Sequence, residues 1–562
     1  MPVQVISDSG LDPASSALLE LTLCHGVGDE EIARAIGADP DEIGRHRDRA
    51  LARAANRDDR SAIEPDEQVK VREVEAVAFR LAARALEAKL AARDRAARDG
   101  ADDDPRPAGR TKPVPMAWPP GAVAVAGATV SRLDVALRVV CSAYLIAVIA
   151  AVVAFKAAFV QALAVDPIFT TYGLVVSAYI ISRFAFSLLY RRPRNHGLEP
   201  RVAVVVPAFN EEQAIGHSLR ALLALDYPAE KLELVAVDDG STDATLAEMR
   251  EVAAQSSRVR VIHFHENRGK RAAMAAGIRA TEAEIVAFVD SDSVLEPDAM
   301  RRLVQGFGDP GVGAMCGHAS VLNAKESWIT RMQAVRYFVA FKVVKAAESL
   351  FNAVTCCSGC FSAYRRKAIL PRLEWWENQT FLGCPSTFGD DRSLTNCVLR
   401  DWKVRYDSTA VSHTIVPNTF VTFMRQQLRW KRSWTRESLI VSTFIWRKHP
   451  VAAITTYVGI VLPLVAPMIA LRTALWLPLA AHAGFPFVYV VGVYSMAVAY
   501  GLYYAVRHNR YDTLWIFGVV FCFFYFVFLL WQTYYAIATA RTAKWGTRPA
   551  TAGVSAPAAS SA

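Results

Sequence analysis

The sequence predicts an α/β domain inserted between transmembrane α-helices, with a small α-helical module at the amino terminus. Three observations support the prediction. Hydrophobic residues make up 53% of the 562-residue chain and charged residues 21%, a mixture typical of soluble domains joined to apolar spans. Short strands alternate with helices from 201 to about 412, which indicates a parallel α/β sheet. Apolar runs on both sides of that segment are long enough to cross about 30 Å of hydrocarbon as helices.

The amino-terminal module is rich in Ala, Arg and Asp and has helical periodicity. Its string "GVGDEEIARAIGADPDEIGRHRDRAL" has the pattern of a helix-turn-helix. Asp39, Asp41 and Glu42 lie near the start of the second helix, where they would repel phosphates. We therefore expect a regulatory or self-association module and no nucleic-acid partner.

Changes in composition divide the whole chain into seven segments. These are the helical module at 1–100, a linker at 101–133, two transmembrane helices within 135–190, the α/β domain at 195–415, amphipathic interfacial helices at 416–449, further transmembrane helices within 450–540, and a terminal segment with a disordered tail at 541–562.

Positive charges predict the orientation in the membrane. "YRRPR" at 190–194 closes the second apolar run, so the positive-inside rule places the α/β domain in the cytoplasm of a multi-pass cell-membrane protein. Nine scattered cysteines fit that reducing compartment. Basic residues lie on both sides of the last apolar run. A broken or re-entrant hairpin would leave both ends of this run in the cytoplasm, as the positive-inside rule requires, and would bring Trp545 near the active site.

Acidic residues cluster where the predicted strands end. Asp238 and Asp239 close one strand, and Asp290 and Asp292 follow another. Ligands of such sheets bind beyond the carboxyl ends of the strands, and carboxylates that converge there repel each other unless a cation or a hydrogen-bonding ligand lies among them. We expect Asp290 and Asp292 to hold Mg²⁺ or Mn²⁺ beside a diphosphate. The alternative role, capping of the next helix, fits Asp243.

Two further motifs complete an ordered series. "GDDRSLTN" places Asp390 and Asp391 before a helix, and "QQLRW" places Gln426, Arg429 and Trp430 on an interfacial segment. The series "VPAFNEE", "DDGSTD", "NRGKR", "DSD", "GDD" and "QxxRW", between membrane helices, resembles the processive glycosyltransferases of family 2, which include cellulose, chitin and hyaluronan synthases. The resemblance covers about 200–437 through motifs and 135–548 through architecture, and it implies a Rossmann-like GT-A fold.

The resemblance also implies roles for individual residues. Asp239 would contact uridine, Lys270 would neutralise phosphate charge, and Asp290 would serve both diphosphate and metal. The nucleotide-sugar site as a whole would consist of Pro207, Asn210, Glu211, Asp238, Asp239, Lys270, Asp290 and Trp545.

The catalytic group implied by the resemblance is Asp390, Asp391, Gln426, Arg429 and Trp430. Asp391 is similar to the general base of the family, which deprotonates an acceptor hydroxyl during an inverting displacement. Arg429 would stabilise the leaving diphosphate, and Trp430 would offer an apolar face to a sugar ring. For Arg429 and Trp430, anchoring at the membrane interface is the alternative role.

Local strings bear on the polymer. "CSGCFSAYRR", "NQTFLG" and "KWGTR" are similar to hyaluronan synthases, which implies UDP-N-acetylglucosamine and UDP-glucuronate as donors and a growing polysaccharide that crosses the lipid bilayer. Cys360-Phe361 stands where those enzymes usually have Pro-Leu, and "QQLRWKRS" resembles chitin-oligosaccharide enzymes. A chitin-type or poly-N-acetylglucosamine synthase with one donor is therefore the alternative. A membrane-tethered helix-turn-helix regulator is a distant one.

Overall fold

The structure is a computed structural model that describes residues 166–480, 487–507 and 513–542, with short helical pieces between 135 and 154. The predicted amino-terminal module with its helix-turn-helix, the linker and Trp545 lie outside the described residues. The fold described below is therefore that of the α/β domain and of the helices that flank it.

The α/β domain is built on one eight-stranded sheet with the order β3-β2-β1-β4-β7-β6-β10-β5, and β8 pairs with β9 in a separate hairpin. The strands are β1 (Val202–Ala208), β2 (Leu232–Asp238), β3 (Val259–His263), β4 (Ile285–Phe288), β5 (Ser293–Leu295), β6 (Val312–Val321), β7 (Ser362–Arg365), β8 (Thr380–Phe381), β9 (Cys384–Pro385) and β10 (Lys403–Thr414).

Helices cover both faces of the sheet and continue beyond it. They are α1 (Pro167–Leu189), α2 (Ile215–Leu223), α3 (Thr245–Gln255), α4 (Lys270–Arg279), α5 (Ala299–Val304), α6 (Trp328–Val339), α7 (Ala346–Leu350), α8 (Arg366–Ile369), α9 (Leu373–Glu377), α10 (Asp390–Leu399), α11 (Phe420–Ser442), α12 (Pro450–Leu471), α13 (Leu477–Ala480), α14 (Phe487–Arg507), α15 (Trp515–Phe524) and α16 (Gln532–Ala538).

The sheet is mixed, so the prediction of a parallel sheet was wrong for two strands. β7 runs antiparallel to β4 and β6, and β5 runs antiparallel to β10. The chain has already returned to the carboxyl edge before β7 begins, because Gly359 lies against the Asp290 carboxylate there. β7 must therefore run back towards the opposite edge. The alternation of strands and helices could not reveal this reversal.

Two hydrophobic cores enclose the sheet because successive side chains of a strand point to opposite faces. In β1, Val204 and Val206 lie in one core and Val205 lies in the other. Helix α4 packs closely on β1, since a Cβ at Gly277 would come within 2.3 Å of the Val205 side chain. This packing fixes the amino-terminal end of α4 at the carboxyl edge of the sheet.

Apolar helices flank the domain on both sides in sequence. Among the described residues, Pro167–Leu189 and Pro450–Ala480 are long and apolar enough to cross a bilayer. Trp515–Leu529 and Gln532–Ala538 pass the same test as a pair and are bent by 46° to each other. The predicted break in the last apolar run is thus present, whereas its re-entrant course stays a prediction.

The amphipathic helix α11 is bound to this bent pair. Lys431 donates through Nζ to the Leu529 carbonyl, at the end of the first helix of the pair, and to Thr533 Oγ1 at 2.8 Å. Arg432 Nε donates to Thr539 Oγ1 at 3.0 Å. Because the last carbonyls of a helix have no intrahelical donor, the Lys431 ammonium stabilises the bend.

Replacing Lys431 by Met should lower the thermal-unfolding temperature of the detergent-solubilised protein. The Leu529 carbonyl would lose a charged donor in a partly buried place, at a cost of about 1–3 kcal/mol. Lys403→Met is the matched control because Lys403 forms an exposed ion pair with Asp309, worth about 0–1 kcal/mol. Equal shifts in the two variants would show that Lys431 does not stabilise the bend.

Candidate active site

The carboxyl edge of the sheet gathers most of the predicted site residues. β1 ends at Ala208, β2 at Asp238 and β4 at Phe288, and β2 and β4 run parallel to β1 on either side of it. The turns that follow them therefore lie side by side. They carry the carboxylates that the sequence places after each strand.

The turn after β1 is bonded to the turn after β2. Asn210 adopts a left-handed conformation with φ of 55°, which Asn tolerates better than most residues. Its Oδ1 accepts from the Thr242 N–H at 2.8 Å, and its own N–H donates to Ser241 Oγ at 3.0 Å. The Glu211 N–H donates to Thr245 Oγ1 at 2.7 Å. Pro207 lies within β1 itself, opposite Val237.

Asp238 and Asp239 differ in their surroundings. The buried Asp238 carboxylate shares a 2.7 Å hydrogen bond with His263 Nδ1 and accepts from the Ser241 N–H. Asp239 accepts from the Arg268 and Gly269 N–H groups at 2.8 and 3.0 Å. Asp238 thus joins β2 to β3, and Asp239 orders the loop that leads into α4. Contact of either with a nucleotide stays a prediction.

Lys270, the first residue of α4, brings a positive charge to this edge of the sheet and forms an ion pair with Asp290. Burial acts to lower the pKa of Lys270, but Asp290 first, and then Asp390 and Asp391, raise it above the ordinary value. The ammonium therefore keeps its proton and lies within electrostatic reach of all three carboxylates. The carboxylates at this edge outnumber the ammonium, so that an added cation would be attracted to it.

Asp290 and Asp292 are the residues that could hold a divalent cation. Burial, followed by the charge of Asp290, raises the pKa of Asp292 to about 6, and a cation would relieve that repulsion. No group of three or more His, Cys, Asp or Glu residues with metal-binding geometry occurs in the described part of the chain. The remaining ligands of a cation would come from the diphosphate or water.

The Gly-Asp-Asp turn separates two neighbouring carboxylates. Both aspartates lie in the first turn of α10, not before the helix as predicted, because Gly389 with φ of 78° is the N-cap. Asp390 is buried and accepts from Arg271 Nε at 2.9 Å. Asp391 instead accepts from the Arg392 N–H at 2.7 Å through Oδ1 and from the Cys356 thiol at 3.7 Å through Oδ2. Burial and Asp391 raise the pKa of Cys356 to about 12, so that the thiol remains protonated.

The Gln-x-x-Arg-Trp motif lies on α11. The Trp430 ring is 5.2 Å from the Arg336 guanidinium carbon and 6.5 Å from the Tyr337 ring. Burial raises the pKa of Tyr337, and the charges of Asp290 and Asp292 add to the effect. Tyr337 is thus a neighbour of Trp430. Gln426 Oε1 accepts from Gln427 Nε2 at 3.5 Å, and Arg429 is half-buried.

Sequence reasoning missed four residues of this arrangement: Arg271, Arg336, Tyr337 and Cys356. Arg271 belongs to the "NRGKR" string, so the sequence could have identified it as a candidate site residue. Arg336 and Tyr337 belong to α6, which has no motif, and only the fold brings them to Trp430. Cys356 precedes the quoted "CSGC" string, in a loop whose return to the edge could not be foreseen. Trp545, which was predicted near this site, lies outside the described residues.

This edge of the sheet thus brings together an Asp290–Lys270 ion pair, the buried Asp390 and the neighbouring Asp391 carboxylate. Comparison with known proteins identifies the class. A sequence profile described as "Glycosyl transferase family 2" matches residues 203–370. A hyaluronan synthase of Streptococcus pyogenes serotype M3 is 32% identical over 387 residues, which cover 67% of this chain and 90% of that protein.

Two other proteins are similar over shorter stretches or at lower identity. An N-acetylglucosaminyltransferase of Azorhizobium caulinodans is 38% identical over 246 residues, 43% of this chain and 62% of that protein. A solved mannosyltransferase of Pyrobaculum calidifontis, in complex with GDP-Man and Mn²⁺, aligns with a TM-score of 0.44 and 22% identity over 62% of this chain and 98% of that chain. The chain belongs to glycosyltransferase family 2, and its α/β domain has the GT-A fold.

Substitution of Gly389 by Ala should destabilise the protein more than substitution of Gly383. Both glycines have φ of 78°, so each Ala pays about 1–2 kcal/mol of left-handed strain. A Cβ at Gly389 would also come within 1.8 Å of Ser433 Oγ, whereas nothing lies within 4 Å of Gly383. The clash should cost about 1–3 kcal/mol more, measured as the difference between the two unfolding temperatures.

Proposed function

We propose that the protein is a processive, inverting glycosyltransferase that polymerises UDP-sugars into a β-linked polysaccharide and moves the product across the membrane. The observation that carries this proposal is the separation of Asp391 from Asp390. Asp390 is held in the interior by Arg271, whereas Asp391 has no side-chain cation among its hydrogen-bond partners in the described part of the chain: it accepts from the Arg392 N–H and from the Cys356 thiol, near the Lys270–Asp290 pair. A carboxylate so placed can accept a proton next to a bound diphosphate.

The donor would bind at the carboxyl edge of the sheet. Asp239 and the turn at Asn210 would receive the nucleotide, and Lys270 would exchange its contact with Asp290 for one with the diphosphate. Asp290 and Asp292 would hold Mg²⁺ or Mn²⁺. When bound, that cation supplies positive charge that favours departure of the diphosphate.

Transfer would occur in a single displacement. Asp391 takes the proton of an acceptor hydroxyl while that oxygen forms a bond to the anomeric carbon. The bond from the anomeric carbon to the diphosphate breaks, and UDP leaves with the electron pair. Arg429 neutralises the leaving group, and Trp430 with Gln426 supports the acceptor sugar. One displacement inverts the anomeric configuration, so that an α-linked donor gives a β-linked product.

Replacing Asp391 by Asn should reduce sugar transfer by about 10²–10⁴-fold because the acceptor hydroxyl loses its base. Binding of UDP, measured by calorimetry, should remain within about threefold of wild type since the contacts with phosphate are unchanged. Asp401→Asn is the matched control because Asp401 pairs with Arg372 on the surface. Transfer at the wild-type rate by the Asp391 variant would remove Asp391 from the mechanism.

The hyaluronan synthase relative supports UDP-N-acetylglucosamine and UDP-glucuronate as the donor pair. The N-acetylglucosaminyltransferase relatives support the alternative, a polymer made from UDP-N-acetylglucosamine alone. Purified protein should be incubated with each donor singly and with both. We expect polymer only with both donors, and digestion of it by a hyaluronan-specific lyase. Polymer from UDP-N-acetylglucosamine alone would favour the one-donor enzyme.

The apolar helices support a place in the cell membrane with the catalytic domain on the cytoplasmic side. In the described part of the chain, two helices, and a third if the bent pair is one span, are long enough to cross it. They would form the path by which the polymer leaves. We assign residues 1–100 a regulatory role and the other segments the boundaries given in the sequence analysis.

A further inference from the structure

We infer that Glu437 and Arg271 are positioning residues, which hold the base, the phosphate-binding lysine and the interfacial helix in one geometry through a buried polar network. The network consists of Arg271, Gln379, Asp390, Ser393, Asn396, Arg436 and Glu437. The inference rests on the proposed function, because it assigns these residues to the same transfer site. None of them is assigned a role in transfer except Asp390.

Glu437 on α11 is the centre of one half of the network. It is 1% exposed. Its carboxylate accepts from Arg436 Nε at 2.8 Å, from Asn396 Nδ2 at 3.0 Å and from Gln379 Nε2 at 3.3 Å. The donors come from α11 itself, from α10 and from the loop before β8. One buried carboxylate therefore joins three separate elements.

Arg271 on α4 is the centre of the other half. It is 4% exposed and donates to Asp390 Oδ1, to Gln379 Oε1 and to the Trp376 carbonyl, each at 2.9 Å. Ser393 Oγ donates to the same Gln379 oxygen at 2.9 Å. Gln379 thus links the two halves, since its amide accepts from Arg271 and donates to Glu437.

The network residues on α4, α10 and α11 are close in sequence to residues of the proposed mechanism. Arg271 follows Lys270 directly, and Asp390 precedes Asp391. Arg436 lies about two helical turns after Arg429, on the same face of α11, and its Nη2 donates to the Phe388 carbonyl at 2.6 Å. Ser433 of α11 fills the space against Gly389. The network thereby fixes α4, α10 and α11, which carry residues of the proposed mechanism, to one another.

The energetics favour a positioning role over a purely stabilising one. The network buries two arginines and two carboxylates, all 5% exposed or less, so its charges balance. Buried ion pairs of this kind give no net stability over apolar side chains of the same volume. They instead fix orientation, because the N–H groups of a planar guanidinium can donate to their acceptors in only one arrangement. The base and the lysine are the groups that need such accuracy.

Glu437→Gln tests the inference, since it keeps the side-chain volume and removes the charge. Turnover per folded molecule should fall by about tenfold or more, as a misplaced base costs rate, while the KM for the donor stays within about threefold. Backbone amides near 268–272 and 389–393 should exchange hydrogen faster than in wild type. Turnover within about twofold of wild type per folded molecule, with a lower unfolding temperature, would show a structural role only and overturn the inference.

Arg365→Lys is the matched control. Arg365 is also a buried arginine, with contacts to Val312 and Glu284, but it lies at the opposite edge of the sheet, beside the first residue of β4. It should lower stability and leave turnover per folded molecule unchanged. A loss of turnover equal to that of Glu437→Gln would overturn the inference, because any buried charge would then have the same effect.

Two further measurements keep the test decisive. If Glu437→Gln does not fold, Ser393→Ala removes only one hydrogen bond of the network and should reduce turnover by about two- to fivefold, and wild-type turnover there would overturn the inference. If the wild-type protein transfers no sugar from any UDP donor, the proposed function fails. Hydrogen exchange then still tests the network, and unchanged exchange near 268–272 and 389–393 in the variant would overturn it.

Discussion

The buried ion pair between Arg271 and Asp390 is the interaction on which the arrangement of the site depends. Two adjacent aspartates at the start of a helix would otherwise be equivalent in charge. Arg271 takes one of them into the interior, and the turn at Gly389 directs the other to the edge of the sheet. The same arginine fixes the end of α4, where Lys270 begins. This one ion pair thus fixes the positions of both the Asp391 carboxylate and the Lys270 ammonium.

The sheet supplies the second constraint, because its parallel strands bring residues that are far apart in sequence to one edge. The turns after β1 and β2 are bonded directly to each other through Asn210 and Thr242. Asp290 follows β4, the other neighbour of β1. The loop that contains Gly359 and Cys356 then lies across this edge, so that Asp290 and Asp391 both contact it. The loop thus joins Asp290 to Asp391.

The sequence alone was sufficient to predict those strands and helices that have a local sequence pattern. The strands at 202–208 and 232–238 and the helix that begins at Lys270 follow from buried apolar runs and helical periodicity. The direction of β7 did not follow, because it depends on where the preceding loop runs in space. The motifs likewise located Asp390 and Asp391 together, and the resemblance gave Asp391 the role of base, but neither could show that Arg271, 119 residues away, holds Asp390. Trp430 was recognised, whereas its neighbours Arg336 and Tyr337 carry no pattern that would identify them.

The long sequence separations within the buried network have a consequence for the order in which the chain assembles on the ribosome. Arg271 and Asp390 are 119 residues apart, and Gln379 and Glu437 are 58 apart. All strands of the sheet have been synthesised by Thr414, yet Gln379 and Asn396 still lack the Glu437 carboxylate to which they donate. A nascent chain that ends before α11 therefore has the scaffold without the finished site. Synthesis of α11 is the step that completes the buried network.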